Sequence, residues 1–171
     1  RHHDRPRPRR RGIDPDGRKQ RYAFINAQLP RFYQMDRPVI AAVNGAAIGI
    51  GMILAALCDM RVAAEDARFA CPEIDYGLVA GGAAVFAMIG MPEAKVRELL
   101  FTGARFTARE LEPTGLFNYV VPRSEVLPKA LELARQIAAK SLPAIRARKI
   151  ASANLEGRGW IEAYLDAQGL S

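Results

Sequence analysis

At 171 residues, half of them apolar, the chain is long enough for one domain with a real core. A formal charge of +7 suggests a polyanionic or membrane partner, yet residues 1–22 hold nine Lys/Arg against three Asp/Glu while the rest hold sixteen against fifteen. The body is close to neutral, so any basic-protein argument concerns a tail.

In chain order, residues 1–21 are dominated by Arg, Pro, Asp and Gly without apolar periodicity, which predicts a disordered tail. His2 and His3, adjacent at a chain end, read as a tag remnant rather than as metal ligands. The Arg-rich opening is not the pattern of a signal peptide, and a cytoplasmic location is the default expectation. Tyr22, Ile25, Leu29 and Phe32 recur at helical spacing, interrupted by Pro30, and predict a helix over Tyr22–Met35.

Pro38 opens a β-type run, Val39–Val43, ended by the turn pair Asn44-Gly45. The pattern Gly49-Ile50-Gly51 then leads into a helix over Met52–Leu57, with short strands following at Met60–Ala63 and Arg68–Ala70. The apolar window Pro38–Cys58 contains three glycines and an asparagine, so it reads as α/β layering rather than a membrane span. Cys58 and Cys71 lack CxxC or His-rich spacing and read as buried thiols, with no metal site expected.

Beyond Pro72 the pattern becomes helical: Ala83–Ile89, then Glu93–Phe101 with Pro92 favouring its first turn. Thr107 to Glu110 has the form of a capping box, Gly115 is a stop, and Phe117–Val121 is a brief strand. Ser124–Ala139 and Pro143–Leu155 are amphipathic helices, and Gly159–Ala167 forms a third. The expected organisation is a tail over 1–21, an α/β core over 22–122, and a helical region over 123–171.

Two places carry candidate chemistry. Where Gly49-Ile50-Gly51 starts a helix, free backbone N–H groups at the positive end of the helix dipole suit a developing oxyanion, and flanking glycines admit a ligand carbonyl. The other reading is a βα turn whose glycines serve backbone angles. Glu73 follows Pro72 among apolar neighbours; partial burial would raise its pKa towards a range useful for a general acid or base. Its alternative is an exposed turn or helix-capping carboxylate. Asp75 is a weaker rival, and Asp59 reads as a structural turn residue. Gly81 lies in a small-residue cluster that could add backbone donors or a packing surface.

Taken together, Pro38-Val-Ile-Ala-Ala-Val-Asn-Gly45, the glycine turn, Ala56-Leu-Cys-Asp-Met-Arg-Val-Ala63, Phe69-Ala-Cys-Pro-Glu-Ile74 and Gly77-Leu-Val79 resemble the signature of the crotonase superfamily, the enoyl-CoA hydratase/isomerase family. Glu98-Leu-Leu-Phe-Thr-Gly103, Phe106-Thr-Ala-Arg-Glu110, Gly115-Leu-Phe-Asn118 and Val120-Val-Pro122 extend the resemblance. It implies a crotonase-like ββα superhelix followed by a helical C-terminal region, an acyl-CoA substrate, no separate cofactor, and a homo-oligomer, trimer or hexamer. It also implies that Ile50 supplies an oxyanion N–H, with Gly49, Gly51 and Gly81 around it, and that Glu73 is the catalytic carboxylate.

Departures from the family pattern shape the expectation further. The family's first glutamate falls at Ile53, which cannot carry a proton, so one-base isomerisation is favoured over two-carboxylate water addition. The segment before Pro38 does not resemble the family's N-terminal region, and the family's closing helices are not matched before Ser171, so the resemblance implies a chain truncated at both ends. Two alternatives stand beside the enzyme: a weakened crotonase remnant acting as an oligomer subunit, and polyanion binding through Arg1–Arg21. The tail lacks stacking aromatics and a nucleic-acid fold motif, so nucleic acid is not the expected partner, nor is a membrane.

Overall fold

The computed structural model describes residues 24, 25, 27–79, 81–152, 159 and 162. The expected tail over 1–21 and most of the expected helix Gly159–Ala167 lie outside them. Helix α1 (27–33) buries Leu29 and Tyr33, four apart on one face, and accommodates Pro30, whose carbonyl accepts the Gln34 N–H at 2.9 Å.

The chain then winds in turns of strand, strand and helix. Strand β1 (Ile40–Val43), strand β2 (Ala47–Ile48) and helix α2 (Ile50–Leu57) make one turn. Strand β3 (Met60–Ala64), strand β4 (Arg68–Ala70), a 3-10 turn at Pro72–Tyr76, and helices α3 (Gly82–Met88) and α4 (Glu93–Thr102) make the next. Strand β5 (Phe106–Thr107), helix α5 (Ala108–Leu111), strand β6 (Tyr119–Val121), helix α6 (Val126–Ala138) and helix α7 (142–152) follow.

Successive strands go to different sheets. One sheet is ordered β1-β3-β6 and wholly parallel, with Ile40 opposite Met60 and Val62 opposite Tyr119. The other is ordered β2-β4-β5, parallel at β2-β4 and antiparallel at β4-β5. The second turn stacks on the first, so its strands are covered on both sides: Val62, Ala63, Ala64, Phe69, Ala70 and Cys71 have no exposed surface. Small residues dominate because layers must approach closely, while Phe69, Phe86, Leu99 and Leu111 fill the remaining core.

Local chemistry sets the element ends. Thr107 and Glu110 form the expected reciprocal capping box on α5. Pro92 stands at the N-cap of α4 with extended backbone, one position before the first turn where it was expected. Strand β6 starts two residues later than predicted because Asn118 is occupied: its N–H donates to Arg61 O at 2.9 Å and its Oδ1 accepts the Arg61 N–H at 2.7 Å. The expected helix from Ser124 opens instead as a 3-10 turn at Arg123–Glu125 before α6. No helix among the described residues is long and apolar enough to cross a membrane.

Candidate active site

Strand β2 delivers the chain to Gly49, whose N–H donates to Ala70 O at 2.7 Å and ties the turn to β4. Gly49 has φ of 59°, a left-handed value that side chains rarely adopt, and it starts α2. Its carbonyl accepts the N–H groups of Met52 and Ile53, at 2.9 and 3.2 Å. The N–H groups of Ile50 and Gly51 precede the first intrahelical bond and meet no acceptor among the described residues. They carry the positive end of the α2 dipole.

Glu73 comes to the same turn from the second layer. A Cβ built on Gly49 would sit 2.7 Å from Glu73 Oε1 and 3.6 Å from its carboxyl carbon, so the carboxylate lies directly against the start of α2. Glu73 rides on the 3-10 turn Pro72–Tyr76, closed by left-handed Gly77 and by the Leu78 N–H on Glu73 O at 3.1 Å. Gly103, at the end of α4, supports that turn from behind; a Cβ there would be 3.4 Å from Pro72 Cα.

Glu73 Oε2 is buried without a hydrogen-bond partner among the described residues. Burial therefore pushes the Glu73 carboxyl above the usual carboxylate range, opposed in part by its own backbone N–H. The expected buried thiols are both present: burial raises Cys58 to about 11 and Cys71 higher still, so neither is a thiolate at neutral pH.

The other sequence candidates fall differently. Gly51 is the second residue of α2, where a Cβ would meet open space, so packing does not demand glycine there. Gly81 is the N-cap of α3; the next residue, Gly82, faces α2, where a Cβ would lie 3.5 Å from Ile53 Cγ1 and 2.9 Å from the Phe86 ring. Ile53 itself is 3% exposed and belongs to the core between α2 and α3. Asp75 is exposed, with its carboxyl carbon 3.5 Å from where a Cβ on Gly103 would stand. Asp59 is structural, as read: Oδ2 accepts the Val39 N–H at 2.8 Å and Oδ1 accepts Lys149 Nζ at 2.7 Å.

Sequence reasoning missed Arg61. Its guanidinium donates to Ala56 O, Cys58 O and Leu116 O, closing the C-terminal end of the helix whose other end faces Glu73. One partner is 55 residues away, so no local signal announced it.

A β-turn-helix N-terminus facing a buried carboxyl can hold an oxyanion and move a proton beside it. The family model for enoyl-CoA hydratase/isomerase matches residues 18–167. The chain belongs to the enoyl-CoA hydratase/isomerase family. Among curated members of that family, a carnitinyl-CoA dehydratase from Salmonella paratyphi A is 42% identical over 124 residues, 72% of this chain and 48% of the relative. The chain thus spans about half the length of the curated relatives it matches. Among solved structures, an enoyl-CoA hydratase from Bacillus anthracis superposes with a TM-score of 0.79 at 29% identity, covering 93% of this chain and 63% of that one. A carnitinyl-CoA dehydratase from Mycobacterium avium gives 0.68 at 34% identity, covering 80% of this chain and 56% of the other. The fold is the crotonase fold of the enoyl-CoA hydratase/isomerase family, as the linked motifs implied.

Proposed function

We propose that this chain carries the proton-transfer half of an acyl-CoA site, in which Glu73 is the single general base and the Ile50 N–H steadies the thioester oxygen. The observation that carries the reading is the contact of the Glu73 carboxyl with Gly49, one residue before that N–H, with Oε2 buried and unpartnered. In a 3-enoyl-CoA, the Glu73 carboxylate takes a proton from C2 and the electron pair moves onto the thioester oxygen. The resulting Glu73 carboxylic acid returns the proton to C4, the double bond ends between C2 and C3, and the base is regenerated.

Water addition needs a further group to orient and deprotonate the water. Ile53 offers none, and absence of a positioned base costs about 100 to 10,000-fold. A second reading, elimination of water from a 3-hydroxyacyl-CoA, is favoured by the 42% identity to carnitinyl-CoA dehydratases. Glu73 takes the C2 proton and passes it to the departing C3 hydroxyl, which leaves as water; being the reverse of water addition, this step rests on Glu73 alone and is slowed by the same missing group at Ile53.

The test is to assay isomerisation of a 3-enoyl-CoA, hydration of a 2-enoyl-CoA and dehydration of a 3-hydroxyacyl-CoA with the chain and with Glu73→Gln. Isomerisation that falls at least about 100-fold in Glu73→Gln supports the proposal. Dehydration with the same dependence supports the second reading. Activity indifferent to the substitution contradicts both, and inactivity in all three assays favours a remnant that contributes as a subunit.

A further inference from the structure

Five glycines among the described residues have a left-handed backbone: Gly49, Gly77, Gly90, Gly103 and Gly115. At Gly77, Gly90 and Gly115 a Cβ would meet nothing within 4 Å, so only the backbone angle asks for glycine there. The other two are crowded, and the same short segment crowds both: the 3-10 turn that carries Glu73. Gly49 meets the carboxyl itself. At Gly103 a Cβ would stand 3.4 Å from Pro72 Cα, 3.4 Å from Ile74 Cγ2 and 3.5 Å from the Asp75 carboxyl carbon, so Gly103 touches the residues on either side of Glu73.

The end of α4 is held in the shape this approach needs. Gly103 has φ of 62° and ψ of 15°, the left-handed turn that ends many helices. Thr102 pins it, because its hydroxyl donates to Glu98 O and accepts the Ala104 N–H at 3.1 Å, spanning Gly103. The turn is fixed in its own right as well, since the Glu73 carbonyl accepts the N–H groups of Gly77 and Leu78. Two rigid pieces therefore meet at Gly103 with only a hydrogen between them. A methyl there would lie at the lower edge of ordinary carbon contact on three atoms at once, and a larger group must move the turn or swing away from it.

We infer that Gly103 is a positioning residue for Glu73: the bare backbone at the end of α4 seats the turn, and through the turn sets the carboxyl against Gly49 and the Ile50 N–H. Calling Glu73 the base rests on the reading proposed above; where its carboxyl stands does not, and is measurable whether or not the chain turns over a substrate. Because Oε2 is buried without a partner among the described residues, a turn moved off this seat lets water reach the carboxyl.

The test compares Gly103→Asn with Gly115→Asn in the full chain, labelled with carbon-13 at glutamate Cδ and titrated by NMR; the Glu73 resonance is the one lost in Glu73→Gln. Asn visits the left-handed region readily. Gly115, with φ of 75° and ψ of 10°, has nearly the conformation of Gly103 with nothing packed against it, so the pair separates backbone strain from pressure on the turn. In the parent and in Gly115→Asn the Glu73 carboxyl should titrate above the ordinary glutamate range, and in Gly103→Asn its midpoint should fall towards that range. Gly103→Ala is the smaller step, moves the midpoint the same way by less, and carries the test where the Asn variant does not fold. An unchanged Glu73 midpoint in the folded Gly103 variant, or an equal change in the Gly115 variant, overturns the inference. A parent midpoint within the ordinary range also overturns it, since no buried placement then exists to be held. Proton transfer undiminished in Glu73→Gln, alongside a midpoint that moves only with Gly103, would instead remove Glu73 as the base and leave its seat on α4 supported.

Discussion

A methyl group on Gly49 would stand 2.7 Å from Glu73 Oε1 on a residue with φ of 59°, so backbone strain and collision act at one position. Gly49→Ala is expected to lower stability by about 1 to 3 kcal/mol, because φ of 59° with ψ of −122° is a backbone conformation that glycine alone adopts readily, read as a lower midpoint in urea, and to displace the carboxyl. Glu73 makes the opposite prediction for stability. Its carboxyl is raised by burial, so the folded state holds its proton to higher pH than the unfolded chain does. At pH below the ordinary glutamate range both states are protonated and the stabilising preference is fully present; it is lost as pH rises through the folded value. Glu73→Gln should therefore raise the melting temperature at neutral pH and lose that advantage in acid, as scanning calorimetry at two pH values would record. A substitution that costs stability equally at both would contradict a raised carboxyl.

At the scale of elements, α2 is held at both ends: Gly49 and Ala70 fix its start, and Arg61 closes its end. Its second turn contributes Ile53 to the core, 3% exposed and packed towards Gly82 and Phe86. Restoring a carboxylate there is not a simple repair. Ile53→Glu would bury an acid whose pKa must rise by about 3 units, a cost of about 4 kcal/mol at neutral pH, and urea denaturation should show it. A second tie joins α7 to the sheet, since Lys149, 6% exposed, donates to Asp59, which also receives the Val39 N–H at the entry to β1. Asp59→Ala leaves a buried ammonium without its partner and is expected to cost about 3 kcal/mol. Lys149→Met, which removes the charge and keeps much of the apolar stem, should cost less; equal losses would mean that packing rather than the ion pair holds α7.

For the molecule as a whole, what was legible in sequence is what local chemistry dictates. The β1 run, the glycine turn, the capping box at Thr107 and the helix breaks at Gly103 and Gly115 are all signalled within a few residues, and their order identifies the fold. Glu73 could be singled out because Pro72 and apolar neighbours predicted burial, but its seat on a 3-10 turn could not. That turn depends on Gly103, at the end of a helix that arrives 30 residues later. Arg61 and Lys149 were invisible for the same reason: each is defined by a partner distant in the chain.

The central claim, that Glu73 and the Ile50 N–H together make an enolate from an acyl-CoA, reduces to the lability of one hydrogen. Incubation of a saturated acyl-CoA in deuterium oxide, followed by proton NMR of the C2 position, reads that step without requiring a complete reaction. The account predicts deuterium uptake at C2 catalysed by the chain, with a rate that rises with pH through a value above the ordinary glutamate range and that falls about 100-fold or more in Glu73→Gln. Uptake at the same rate in Glu73→Gln would contradict it.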